Sequence, residues 1–157
     1  HAWSTTNTNP DEVTGTLSEA MRGADVFLDV SAPDVITEAD VESMAPDSIV
    51  FAMANPVPEI DPDIAARHAA VVATGRSDFA NQINNVLVFP GVFRGLIDSG
   101  VSHVDMDVLL AAADALADVV RDDERNATYI IPSVFHPDVS TVVADAVGAA
   151  VAAREGA

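Results

Sequence analysis

The amino-acid sequence predicts an α/β fold in which a parallel sheet with flanking helices is followed by C-terminal helices. Three short apolar runs, at residues 25–30, 48–54 and 69–74, have the length and composition of strands. Short helical stretches separate them, and this alternation is typical of βαβ units with right-handed crossovers. The first run is mostly apolar, as expected of a strand buried on both faces. From about residue 81 the apolar pattern becomes helical and predicts the C-terminal helices.

Capping signals predict the helices that precede and separate the strands. In the first helix Thr16 is followed three residues later by Glu19, as in a capping box, and Gly23 can end the helix. The second helix is amphipathic and also has a capping-box start, whereas the third is short. The residues at the very start of the chain, 1–16, are polar and predict a loop. The three helices are predicted at residues 16–23, 37–44 and 62–67.

The C-terminal half is predicted to be mainly helical. A helix is expected to open over residues 81–88 and to continue irregularly through 89–100. Two longer helices are predicted over 107–120 and 139–154, with a short extended piece over 129–132 between them. The first longer helix is expected to bury a stripe of Leu109, Leu110, Ala113, Leu116, Ala117 and Val120. The second is expected to bury Val142, Val143, Ala146, Ala149, Ala150 and Ala153.

The composition restricts the classes of function. The 157 residues include 25 acidic and 7 basic side chains, give a net charge of −18, and contain no lysine. A field of this sign repels phosphate backbones and argues against nucleic-acid binding, and no apolar run is long enough to cross a membrane. This composition favours the cytoplasm of a halophilic organism, with a simply acidic protein as the alternative. The absence of cysteine excludes disulfides and agrees with a cytoplasmic location.

Several familiar catalytic signatures are absent from the sequence. No Gly-x-Gly-x-x-Gly loop joins a first strand to a first helix, and no acidic residue stands at the ribose-binding spacing. The sheet is therefore interpreted as the later part of a Rossmann-type sheet, whose first βαβ unit is expected to precede His1. No lysine or cysteine offers a base or a nucleophile, and no His/Glu spacing predicts a metal site. The histidines are interpreted as surface residues, Tyr129 as a core residue, and Asp78 as the partner of Arg76 in bracing a turn.

Side-chain amides are the strongest candidates for a binding site. Asn55 follows the second predicted strand, and Gln82, Asn84 and Asn85 follow the third. In open parallel sheets ligands bind beyond the carboxyl ends of the strands, where Ser31 also lies. An amide both donates and accepts hydrogen bonds without adding charge, which suits a hydroxy acid or a nicotinamide. By spacing alone, local roles in turns and helix caps are about as well supported as ligand binding.

Three ordered blocks of sequence resemble the malic enzyme family, most closely its shorter bacterial and archaeal form. They are GADVFLDVSAP at 23–33, FAMANPVPEI at 51–60 and ATGRSDFANQINNVLVFPGVFRG at 73–95. The resemblance extends from about residue 15 to the last helix. It implies oxidative decarboxylation of L-malate to pyruvate and CO2, with NAD or NADP and with Mg2+ or Mn2+.

The resemblance also implies roles for individual residues. In the family, the asparagine of the Ala-Asn-Pro block and the second asparagine of the Asn-Asn pair contact malate and the nicotinamide end of the cofactor. These correspond to Asn55 and Asn85. Asn84 is a further cofactor-binding candidate, and the turn containing Ser31 and Ala32 would pass beside the cofactor. The family's catalytic tyrosine and lysine, its acidic metal ligands and its phosphate loop lie upstream of the matched region, so the chain alone is expected to be inactive.

Two other interpretations are compatible with the residues. One is a different NAD(P)-linked dehydrogenase with a similar late Rossmann half, and the other is a non-catalytic assembly or regulatory module. Because neither a repeat nor a linker is evident, residues 1–157 are expected to form one partial NAD(P)-binding domain. The implied partners are L-malate, pyruvate, the rest of a malic enzyme chain and further copies in a homo-oligomer. The choice between NAD and NADP depends on residues that would precede His1.

Overall fold

The computed structural model of the chain describes residues 3, 7–10 and 12–155. These residues form two compact units, the first ending at Ala73 and the second beginning at Thr74. Each unit has its own apolar core, and each is described separately below.

The first unit contains a parallel sheet, as predicted. Its strands are β1 (Val26–Asp29), β2 (Ile49–Ala52) and β3 (Val71–Thr74), and they lie in the order β1-β2-β3. Strands β1 and β2 run parallel, with Val26 opposite Ile49. The Ala70 N–H donates to the Ser48 carbonyl at 2.9 Å, where β3 begins beside β2. The prediction of an α/β fold is therefore confirmed.

Three short helices of the first unit lie where the capping signals predict them. They are α1 (Leu17–Met21), α2 (Glu38–Glu42) and α3 (Pro62–Ala65). Both predicted capping boxes are present, because the Thr16 and Thr37 side chains accept N–H groups three residues ahead. In return, the backbone N–H groups of these threonines donate to the carboxylates of Glu19 and Asp40. The helices cover a core that comprises Met21, Phe27, Ile36, Val41, Met44, Val50, Ala52, Ile60, Ala65 and Ala69.

One expectation for the first unit is wrong, and a second holds only in part. Strand β1 is buried on one face only, because Phe27 is in the core whereas Val26 and Leu28 are exposed. An apolar strand is buried on both faces only where other elements pack against both faces of the sheet, and here elements pack against one face of β1. The loop predicted at the start of the chain lies partly outside the described residues. Within it Trp3 and Asn7 are helical, whereas residues 8–10 and 12–16 form neither helix nor strand, as expected of a loop.

The second unit is helical. After a 3-10 turn at Asn85–Leu87 it contains α4 (Phe89–Asp98), α5 (Met106–Asp118) and α6 (Val139–Glu155). Helix α4 packs closely on α6, because a Cβ atom added to Gly91 would lie 2.6 Å from the Val143 Cβ. The core of this unit comprises Leu87, Val92, Leu96, Val108, Ala112, Val139, Val143, Val147 and Val151.

Several details of the predicted helical half differ from the structure. Residues 81–88 do not form a helix, since Asn81 is left-handed and only a single 3-10 turn follows. In contrast, α4 is regular, and Gly100 ends it in the left-handed region as expected. Of the segment predicted to be extended at 129–132, Tyr129 pairs with Asn126 across a tight turn, whereas residues 130–131 form a bend.

The predicted buried stripes of α5 and α6 are also largely wrong. On α5 the buried residues are Val108 and Ala112, whereas Leu109 and Leu110 are about half exposed. Of the predicted stripe, Val120 just after the helix is buried and Leu116 packs against the core. On α6 only Val143 of the predicted stripe is in the core, where it lies in a row with Val139, Val147 and Val151. None of the helices in the described part of the chain combines the length and the apolar character needed to cross a membrane.

Candidate functional site

The second unit contains a cavity of about 480 Å³ at its amide-rich segment. One wall consists of residues from the segment after β3, and the other consists of residues around and after the tight turn at Asn126–Tyr129. No charged side chain is among the described residues that line it. The lining residues are Ser77, Phe79, Asn81, Gln82, Asn84, Val86, Thr128, Tyr129, Ile131, Pro132, Ser133, Val134 and Phe135.

The first wall is a loop that leaves β3 and returns alongside its end. Thr74 and Gln82 form a parallel bridge, and the Ile83 N–H donates to the Thr74 carbonyl at 2.8 Å. Between them, Arg76 forms the predicted ion pair with Asp78, with Nε–Oδ1 and Nη2–Oδ2 distances of 2.9 and 2.5 Å. The Arg76 hydrogen bond holds the pKa of Asp78 below its ordinary value. The Arg76 guanidinium also lies 4.9 Å from the centre of the Phe79 ring, which braces the turn further.

Asn81 connects this loop to the opposite wall. Its Nδ2 donates to the Ala127 carbonyl at 2.8 Å, and its Oδ1 accepts the Ile130 N–H at 2.9 Å. The residue is only 6% exposed and has a φ of 53°. Among side chains Asn tolerates this left-handed region well, so one residue supplies both the backbone reversal and the cross-link. The sequence analysis missed Asn81, although its type and its position after a strand were available signals.

Asn84 and Asn85 occupy different environments in the second unit. Asn84 is half-buried, lines the cavity and caps the 3-10 turn, because its Oδ1 accepts the Val86 N–H at 3.0 Å. Asn85 is exposed and begins the 3-10 turn, and it is not among the lining residues. Tyr129, expected in the core, is instead half-buried at the cavity wall.

Asn55 is exposed on the loop that follows β2 in the first unit. A buried carboxylate holds the start of this loop, since both oxygens of Glu59 accept the Ala54 N–H, at 3.1 and 2.9 Å. Glu59 is 0% exposed although it is ionisable. The sequence analysis also missed this residue. The signal that could have identified it is an acidic residue placed directly after the Asn-Pro-Val-Pro turn, between prolines and an isoleucine.

Ser31 and Ala32 lie in the turn after β1. Asp29 organises this turn, because its Oδ1 accepts the N–H groups of Val30 and Ser31 at 2.7 and 2.9 Å. Its Oδ2 accepts the Ser31 hydroxyl at 2.9 Å. The chain beyond this turn is joined to the Asn55 loop, since the Asp34 N–H donates to the Pro58 carbonyl at 3.1 Å. The two predicted loops of the first unit are thus brought together, as the shared strand edge implies.

The described side chains do not form a site for a metal ion. Among them, no group of three or more His, Cys, Asp or Glu side chains is placed to hold one. The structure therefore supports no step through a metal bound to the described residues of this chain. The neutral cavity, in contrast, offers amide and hydroxyl groups that match an uncharged carboxamide in hydrogen-bonding capacity.

The parallel strands and flanking helices define the class of protein as a Rossmann-like α/β domain. Residues 6–152 match the family model described as malic enzyme, NAD binding domain, and the chain therefore belongs to the malic enzyme family. It is 56% identical over 140 residues to an NAD-dependent malic enzyme of Geobacillus stearothermophilus, covering 89% of this chain and 29% of the relative. It is 49% identical over 144 residues to a bifunctional malic/malolactic enzyme of Bacillus subtilis, covering 91% and 35%.

A solved structure supports the same relationship. The NAD-dependent malic enzyme of Thermotoga maritima superimposes with a TM-score of 0.85 at 39% identity, covering 94% of this chain and 38% of that one. The resemblance noted in the sequence is thereby confirmed. The chain spans only about a third of the length of the curated relatives and of this structure.

Proposed function

We propose that this chain is the C-terminal part, residues 1–157, of the NAD(P)-binding domain of a malic enzyme. The parent enzyme would convert L-malate to pyruvate and CO2 by oxidative decarboxylation. The observation that carries this proposal is the family match over residues 6–152, together with 56% identity to a named NAD-dependent malic enzyme. Because relatives named NAD-dependent and NADP-dependent both match, the proposal covers either cofactor.

Within this proposal the chain contributes binding groups. Asn55 and Asn85 would hold malate and the nicotinamide end of the cofactor, and Asn84 would contact the cofactor from the cavity. The exposure of Asn55 and Asn85 supports this role, because an exposed amide can reach a ligand, and Asn85 also begins the 3-10 turn. Ser31 and Ala32 would pass beside the cofactor chiefly through their backbone.

The chemical role of these groups is to orient the malate and the nicotinamide. When bound, the nicotinamide would supply a hydride acceptor for the malate C2, and a divalent metal ion, which we place on residues outside this chain, would supply the positive charge that polarises the hydroxyl. The amides of Asn55 and Asn85 can hold a carboxylate or a carboxamide at a fixed angle because each offers two donors and an acceptor. Fixing the reacting atoms about 3–3.5 Å apart is worth several orders of magnitude in rate.

The proposal is tested with the full-length protein that contains this chain. We expect malate-dependent reduction of NAD or NADP that requires Mg2+ or Mn2+. We expect Asn85→Ala to lower kcat/KM by about 10²-fold, if an interaction of roughly 3 kcal/mol to a charged substrate is lost. Asn7→Ala is the control, because Asn7 is exposed and its side-chain amide donates to the nearby Trp3 carbonyl.

Three results would count against the proposal. No malate-dependent turnover by the full-length protein would exclude a malic enzyme and favour a non-catalytic module. A value for Asn85→Ala equal to that of Asn7→Ala would remove Asn85 from the site. Turnover by the 157-residue chain alone would contradict the assignment of the catalytic and metal-binding groups to the rest of the enzyme. The proposed cytoplasmic location and homo-oligomeric parent would be checked by fractionation and light scattering.

A further inference from the structure

Asn81 is the residue of the second unit whose geometry the proposed function leaves unexplained. It lies three residues before Asn84, yet its side chain bonds to Ala127 and Ile130, 46 and 49 residues further along the chain. The side chain is 6% exposed, donates to one of these backbone groups and accepts from the other. It therefore acts as a cross-link. Those two backbone groups flank Thr128 and Tyr129, which belong to the opposite wall of the cavity.

We propose that Asn81 is a positioning residue that fixes the amide segment 82–85 against the turn at 126–129 and so sets the geometry of the cavity. This inference rests on the proposed function, since the segment it positions contains Asn84 and Asn85. Asn81 itself is not assigned a contact with substrate or cofactor. Its role is to hold the two walls of the cavity in a fixed position relative to each other.

Three features of the structure support a positioning role. The amide segment is anchored at one point by the bond between the Ile83 N–H and the Thr74 carbonyl, and Asn81 supplies the second anchor. The opposite turn is internally closed by bonds between Asn126 and Tyr129, so Asn81 holds a preformed unit. Because Asn84 lines the cavity directly, a shift of the segment would move its amide relative to the opposite wall.

Asn9 provides a matched control elsewhere in the chain. It also has a left-handed φ, 56°, and its side chain also bonds twice, to the N–H and the carbonyl of Val13. Those bonds are local and lie in the first unit. Asn81→Gly and Asn9→Gly therefore remove the same chemistry from the same backbone conformation, and glycine adopts that conformation without strain.

The first test measures hydrogen exchange in the 157-residue chain. We expect Asn81→Gly to accelerate exchange of the Ile130 amide by about tenfold or more, because this N–H loses its acceptor. Asn81→Asp keeps an acceptor for that N–H and is expected to preserve more of the protection. Asn9→Gly should leave Ile130 unchanged. Equal exchange in wild type and Asn81→Gly would overturn the cross-link.

The second test measures kinetics in the full-length protein at temperatures where each variant is folded by circular dichroism. We expect Asn81→Gly to lower kcat/KM for malate by about tenfold, with Asn81→Asp intermediate and Asn9→Gly near wild type. A merely structural role would lower the melting temperature and leave kcat/KM unchanged, and that result would overturn the proposal. If Asn81→Gly does not fold, Asn81→Asp decides by the same criterion. If the wild type has no malate turnover, the proposed function and the positioning role both fail. The hydrogen-exchange test would then still show whether Asn81 forms the cross-link.

Discussion

Glu59 and Asn81 show how single buried polar side chains organise loops in this chain. Each is almost inaccessible to water, and each directs its polar atoms to backbone groups. A buried polar group without partners costs free energy. The hydrogen bonds of Glu59 and Asn81 avoid that cost and also constrain the two loops that these residues hold. The loops they hold contain Asn55 in one unit and Asn84 and Asn85 in the other.

For Glu59 we predict a measurable loss of stability on truncation. Glu59→Ala leaves the buried Ala54 N–H without its acceptor, and we expect the free energy of unfolding to fall by about 1–3 kcal/mol. Glu59→Gln keeps one oxygen for that N–H and should cost less. The measurement is urea unfolding of the 157-residue chain, with Glu42→Ala as an exposed control on α2. Equal stabilities of Glu59→Ala and Glu42→Ala would show that the carboxylate does not hold the loop.

The range of an interaction along the chain decided which residues could be predicted. The Thr16 and Thr37 capping boxes and the Arg76–Asp78 pair involve residues two or three apart, and all were confirmed. The partners of Asn81 lie more than forty residues away, and its left-handed backbone interrupts the helix that the pattern had suggested. Local chemistry is visible in a sequence, whereas a long-range cross-link is defined only by the fold.

At the scale of elements, α4 and α6 pack at unusually short range. Gly91 and Gly95 are one turn apart on α4, and added Cβ atoms would lie 2.6 and 2.7 Å from the Cβ atoms of Val143 and Val147. Backbone carbonyls of α6 lie almost as near, so the neighbouring helix cannot yield by moving a flexible side chain. The missing Cβ atoms of the two glycines therefore allow the short separation between the helices. The conformational flexibility of glycine is not the reason for its presence here.

We predict that alanine at these positions is destabilising despite its higher helix propensity. Gly91→Ala and Gly95→Ala should each lower the free energy of unfolding by about 1–3 kcal/mol, because the helices must separate. Gly148→Ala is the matched control within α6, since the nearest atom that its added Cβ would meet among the described residues is the Ser99 Oγ, at 3.7 Å. It should raise stability by about 0.5–1 kcal/mol. Because the free energy of unfolding should change in opposite directions at the two kinds of position, one thermal or urea unfolding series distinguishes close packing from helix propensity. A stabilising effect of Gly95→Ala would contradict the close packing.

Helices α5 and α6 show why the positions of elements were easier to predict than their buried faces. Helices α5 and α6 consist largely of alanine, valine and leucine, so the apolar pattern surrounds much of each helix. A stripe can be identified only when polar residues mark the opposite face. The actual rows, Val108 with Ala112 and Val139 with Val143, are selected by the neighbouring helices, and no local signal specified that choice.

At the scale of the whole molecule, the dominant property is a net charge of −18. Like charges destabilise a folded chain by repulsion, and salt reduces this cost by screening. Asp114 and Asp118 are a clear local case, because both are exposed and lie four residues apart on α5. This arrangement makes the stability of α5 sensitive to ionic strength.

We therefore predict that the stability of the chain rises with KCl and that neutralising α5 has a salt-dependent benefit. The variant Asp114→Asn/Asp118→Asn changes the net charge from −18 to −16. It should be more stable by about 0.2–0.5 kcal/mol at low salt, because a like-charge pair four residues apart is removed. The gain should vanish near about 1 M KCl, where the screening length falls to roughly 3 Å. Arg94→Gln is the opposite arm, since it breaks the exposed ion pair with Asp98 and makes the net charge more negative. Urea unfolding at several KCl concentrations measures both, and a benefit that persists undiminished at high salt would show that repulsion is not its cause.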